Sequence, residues 1–177
     1  MRSRSNGGNR QVSRDSRSGN GKGGRRGAAD SPLRSLGEEL LKLPVRLRGA
    51  ELGRPTDVLV DLERLRVVGL QVRCGDRSQR FLPLAAAALT SEEITASSSL
   101  ALLDESAYYD EHGSSLRALR GTTVDVAGCR IGTLDDIVLR ANGDVTRIVV
   151  RGKGGELRRF PASKVRIQQR KTARRRS

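Results

Sequence analysis

The chain has 177 residues, enough for one ordinary domain or two very small ones, and only 2% of them are aromatic. Its formal charge of +14 is carried by the ends. Residues 1–31 hold eight Arg or Lys and two Asp, residues 164–177 hold seven Arg or Lys and no acid, and the middle, 32–163, is left at +1. A near-neutral middle argues against a long basic groove and for attraction through the ends to a polyanion: nucleic acid, an anionic membrane surface or an acidic protein.

Residues 1–31 are rich in Gly, Ser, Asn and Arg, with Val12 the only aliphatic larger than Ala after Met1. Such a stretch buries too little apolar area to offset its ordering entropy and is expected to be a disordered basic tail. It has no apolar core of the kind a secretion signal needs, and no run in the chain approaches the length of a membrane span. With Cys74 and Cys129 far apart and outside any CxxC pattern, a reducing, cytoplasmic location is expected.

Residues 32–103 read as a short helix followed by a first β-rich unit. Ser31-Pro32 is a good helix start, Leu33, Leu36, Leu40 and Leu43 fall at helical spacing, and Pro44 stops the run. Val58–Val60, Val67-Val68, Leu70–Val72 and Phe81-Leu82 read as strands. Thr90–Glu93 is a tight polar connection into a further strand, Ile94–Ala96. Residues 104–120 are expected to form a linker helix, with Asp104 to His112 helical and Gly113 as its C-cap.

Residues 121–168 form the second β-rich unit. Strands are expected at Val124–Val126, Ile137–Leu139, Val145–Val150, Leu157–Phe160 and Val165–Ile167. Ala127-Gly128, Asn142-Gly143 and Gly152-Lys153-Gly154-Gly155 are the intervening turns, Asn-Gly being a strong hairpin signal. Residues 169–177 are a second disordered basic tail.

The two units repeat one pattern. Gly49-x-x-Leu52-Gly53-x-x-x-Asp57 followed by Val58–Val60 matches Gly128-x-x-Ile131-Gly132-x-x-x-Asp136 followed by Ile137–Leu139, 79 residues on. Leu70–Arg73 then matches Ile148–Arg151, and Arg80–Pro83 matches Arg158–Pro161, both 78 residues on. The one-residue change belongs in a turn, where a deletion is cheapest. Gly49 and Gly128 suit a turn needing positive φ, Gly53 and Gly132 a strand that must bend, and Asp57 and Asp136 a carboxylate that accepts from nearby backbone N–H groups.

These residues resemble the PRC-barrel family, with the second copy the closer fit. The resemblance implies an all-β fold of two small PRC-barrel-type β-barrels in tandem, with short linking helices and disordered basic termini. Family members include the cytoplasmic domain of a photosynthetic reaction-centre subunit and the C-terminal domain of a ribosome maturation factor, and their common thread is protein docking. No catalytic residues come with the family.

The residues supply no convergent catalytic set either. His112, the sole histidine, sits beside Asp110 and Glu111 with no identifiable nucleophile. Asp135, Asp136 and Asp144 match no cation loop, so no metal and no cofactor is expected. Gly152–Gly155 joins strands and lacks the following helix of a phosphate loop. Tyr108 and Tyr109 suit helix packing on a barrel, and Phe81 and Phe160, taken as matching repeat positions, suit the core. The expected function is therefore a non-enzymatic adaptor that docks on a protein partner. Its basic tails, above all Arg170, Lys171, Arg174, Arg175 and Arg176, would contact an anionic surface. The alternative is an RNA- or ribosome-associated maturation or assembly factor. Oligomeric state is open.

Overall fold

A computed structural model describes residues 35–104 and 113–168. The architecture is all-β, with two sheets, one of them curled into a half-barrel. In chain order the first half contains β1 (Ser35–Leu36), the one-turn helix α1 (Gly37–Leu40), β2 (Val45–Leu47), β3 (Ala50–Asp61), β4 (Arg66–Cys74) and β5 (Gln79–Pro83). A 3-10 turn at Leu84–Ala86 leads to β6 (Ala87–Leu89) and β7 (Ile94–Ala96), and a second 3-10 turn spans Ser99–Ala101. The second half runs through β8 (Ser114–Ser115), α2 (Leu116–Leu119), β9 (Thr123–Val126), β10 (Cys129–Leu139), β11 (Val145–Arg151) and β12 (Leu157–Pro161). A 3-10 turn at Ala162–Lys164 and β13 (Val165–Ile167) complete it.

The first sheet has the order β5-β4-β3-β2-β7-β6, and the second β12-β11-β10-β9-β13. Pairing is antiparallel throughout except between β2 and β7. The expected repeat is realised strand for strand: β2 to β5 correspond to β9 to β12, each group followed by a 3-10 turn after its closing Pro83 or Pro161. The residue missing from the second copy falls at the turn between the paired long strands: six residues separate the paired Val60 and Val67, and five separate their equivalents Leu139 and Val145.

The punctuating residues do the local work. Arg48-Gly49 and Ala127-Gly128 both have positive φ at both positions, the conformation of a two-residue turn whose twist suits a hairpin. At Gly53 and Gly132 a Cβ would stand 2.2 Å from the Arg73 carbonyl oxygen and 2.3 Å from that of Arg151. Only a residue without a side chain lets the neighbouring strand come so close. Register shifts follow at matching places in β3 and β10, beside Leu52 and Ile131 and again just before Asp57 and Asp136. These bulges coil each long strand around the core.

The interior is one continuous cluster drawn from both sheets. Val58, Leu70, Val72, Leu82 and Ile94 of the first pack in the same body as Leu134, Ile137, Leu139, Ile148 and Val150 of the second. Burying each such side chain contributes about 1.5–3 kcal/mol.

Several expectations need correction. The helix expected over Leu33–Leu43 is the single turn α1, because Ser35–Leu36 is drawn into backbone pairing with Leu139 and Val138 of β10. Its Ser31-Pro32 start lies outside the described residues, as do residues 105–112 of the helix expected over 104–112, with Tyr108, Tyr109 and His112, and both tails. Phe81 and Phe160 are not matching positions: register pairs Phe81 with Gln71 and Phe160 with Ile148, so Phe81 corresponds to Arg159 and Phe160 to Leu82. Phe81 is a buried core residue, whereas Phe160 is half-buried.

Candidate functional site

The motif residues of the repeat converge on the seam between the two halves. There the lead-in of each half crosses over to the other. β1 pairs with β10 through Ser35–Leu139 and Leu36–Val138, and β8 pairs with β3 through Ser114–Val60 and Ser115–Leu59. The two pairings are the same contact seen from either side of an approximate two-fold axis. The hairpin tips obey it too: the Val67 N–H donates to the Gly143 carbonyl at 2.9 Å, and the Val145 N–H donates to the Leu65 carbonyl at 2.8 Å.

Asp57 and Asp136 are the sockets of this exchange. The Oδ1 of Asp136 accepts from the Ile137 N–H at 2.8 Å, and its Oδ2 accepts from the Glu38 N–H of α1 at 3.2 Å. The Oδ1 of Asp57 accepts from the Val58 N–H at 2.8 Å and from the Arg117 N–H of α2 at 3.2 Å, while the Ser115 hydroxyl donates to its Oδ2. Each carboxylate thus satisfies donors at the start of the other half's helix. Arg120 adds a cation to one side only, with its Nη2 3.4 Å from a Glu38 oxygen and 3.7 Å from an Asp136 oxygen. Burial still dominates at Asp136: it pushes the carboxyl above its ordinary range, against the opposing pull of the two N–H groups and Arg120. Gly37 and Leu116, equivalent positions, meet at this point; a Cβ on Gly37 would lie 2.4 Å from a Leu116 methyl.

The motif Asp residues are therefore structural, and the chemistry available to a partner lies elsewhere. Within residues 145–161, Arg147, Arg151, Lys153, Arg158 and Arg159 face a single acid, Glu156. The near-neutral middle of the sequence thus conceals a basic hairpin, β11–β12. Arg151 is held by Asp135, with its Nε 3.0 Å from the carboxylate, and Arg158 approaches Glu156 at 3.7 Å. Arg130, Gly132, Thr133, Arg151, Lys153 and Glu156 line a groove of about 530 Å³ at the end of this hairpin. Gly152–Gly155 closes it as a plain turn, with the Gly155 N–H donating to the Gly152 carbonyl at 3.0 Å.

The β12 strand is exposed along its length, apart from the half-buried Phe160, and Leu157 is 55% exposed. In the first half the corresponding β5 buries Phe81 and Leu82. Sequence reasoning missed this hairpin because it averaged charge over 32–163; counting by strand pair would have found it. The expected tail contacts Arg170, Lys171, Arg174, Arg175 and Arg176 lie outside the described residues. Among the described residues, no cluster of three or more His, Cys, Asp or Glu is placed to hold a metal ion. No helix among them is long and apolar enough to cross a membrane. No protein-family model matches the chain, and no curated protein matches it.

Proposed function

We propose that the chain is a non-enzymatic adaptor, built from two PRC-barrel-type units, that docks on a protein partner while its basic ends hold an anionic surface. The observation that carries the reading is the contrast between the repeats. The motif acids of both are turned inward to clasp the halves together, while β12 and its basic neighbours face outward where β5 is buried. A cytoplasmic setting belongs to the same proposal.

The tails divide this reading from the RNA-associated one. Removing 1–31 and 169–177 is expected to lower affinity for single-stranded RNA and for anionic vesicles by about 10–100-fold at low salt and to flatten the salt dependence, since both depend on the number of phosphates neutralised. Docking on the protein partner should survive the deletion. Unchanged polyanion binding by the tail-less chain refutes the tail role. A salt-resistant, sequence-selective RNA complex of that same chain supports the RNA-associated factor instead.

A further inference from the structure

The first half displays how its own edge is covered. Leu103 lies alongside β5, with its N–H donating to the Phe81 carbonyl and its carbonyl accepting from the Phe81 N–H, both at 2.8 Å. The next residue, Asp104, places a carboxylate oxygen 3.1 Å from the Nε of Arg80. An apolar residue pairs with the backbone, and the acid after it pairs with the strand's arginine.

Among the described residues the equivalent edge of the second half is open. Register places Arg159 where β5 has Phe81, and Arg158 where it has Arg80. Phe81 pairs with Gln71 and turns its N–H and carbonyl away from β4; Arg159 pairs with Val149 and turns its own away from β11 in the same manner. Among the described residues nothing bonds to those two groups. At five residues β12 is long enough to template a strand, and its arginines and Leu157 are exposed, with Glu156 the acid beside Arg158.

We infer that β12 is a strand-addition site for an extended acidic peptide of a partner protein, read as an apolar residue followed by Asp or Glu. The inference rests on the adaptor reading and names its docking surface. Backbone bonds to Arg159 would supply affinity independent of the peptide's side chains, and Arg158 would take the acid as Arg80 takes Asp104. Two differences from β5 shape the preference. Arg159 replaces Phe81, so acid is favoured at additional positions. Arg147, Arg151 and Lys153 extend the positive field along the same hairpin, so an acidic strand is steered in and a basic one excluded.

The test uses the full chain and a fluorescent peptide, Glu-Leu-Glu-Leu-Leu-Asp-Glu, followed by fluorescence anisotropy. Saturable binding is expected, weakened about tenfold or more by Arg159→Pro, which deletes the outward N–H at an edge where proline is tolerated. Arg158→Glu should weaken it comparably while leaving the backbone edge intact, and replacing the peptide's acids with Lys should abolish it. Thermal unfolding of each variant close to the parent establishes that the fold is kept. Equal binding by the parent and both variants overturns the proposal. So does dimerisation of the chain that Arg159→Pro abolishes without peptide binding, which would assign the edge to a second copy. If a protein recovered stoichiometrically with the chain is retained by Arg159→Pro, strand addition fails and the adaptor reading stands. If no protein is recovered with either form, the adaptor reading fails as well.

Discussion

Replacing Asp136 with Ala removes the acceptor of two backbone N–H groups at once. The Ile137 donor is buried, and the Glu38 donor sits at the first turn of α1. Leaving each unsatisfied costs about 1–3 kcal/mol, partly offset because the carboxylate no longer has to be desolvated, so the expected net loss is about 2–4 kcal/mol. Asp136→Asn keeps an oxygen for Ile137 but loses the Glu38 bond and the Arg120 attraction, and should cost about 1–2 kcal/mol. Urea unfolding at constant m reads both values from the midpoint. The pH dependence gives a second check. The carboxyl is raised above 3.8 in the fold, so the folded state binds more protons than the unfolded one just above that pH. The resulting stabilisation is full below the unfolded value and is lost as pH rises through the folded one. Asp136→Asn should therefore cost less at pH 7 than near pH 4. An Ala variant within about 1 kcal/mol of the parent, or an Asn variant with the opposite pH trend, refutes the socket role.

Two further expectations concern the punctuation of the repeats. Gly53→Ala and Gly132→Ala drive a Cβ against a neighbouring carbonyl and should each cost about 2–3 kcal/mol, more than Gly128→Ala, where space is open and only the positive φ penalises the change by about 1 kcal/mol. Chemical unfolding of the three variants should give that order; equal losses would remove the close-approach argument. Ala127 is exposed and holds φ +50, so Ala127→Asn should raise stability by about 0.5–1 kcal/mol, seen as a higher melting temperature, and a fall would contradict the turn assignment.

The repeat was legible because glycine and aspartate are local signals. Gly49 makes a turn, Gly53 sits at a strand bend and Asp57 accepts from the next residue's N–H, so their spacing survives in sequence and returned the right strands and the right place for the missing residue. Less legible was everything decided by distant partners. Ser35–Leu36 reads as helix by leucine spacing, and only β10, about a hundred residues away, makes it a strand. Asp57 and Asp136 were expected to bond nearby N–H groups, which Val58 and Ile137 fulfil; their second donors, Arg117 and Glu38, could not be guessed without knowing that the lead-ins cross. Matching Phe81 to Phe160 followed residue identity, whereas register follows the deletion in the preceding turn, which turns the two rings to opposite faces. The basic hairpin was hidden by arithmetic over too long a window, and its open edge is visible only beside the covered one.

The crossing of β1 and β8 makes neither half self-sufficient. The first sheet is completed by residues that follow the linker, and the second by residues that precede it. Damage is consequently felt on the far side: loosening 114–119 strips β3, and loosening 35–38 strips β10. Two similar halves tied this way resemble interlocked fingers more than beads on a string. On heating, the two halves are therefore expected to unfold together, so that the body as a whole, and with it the placement of β12, is kept or lost in one step.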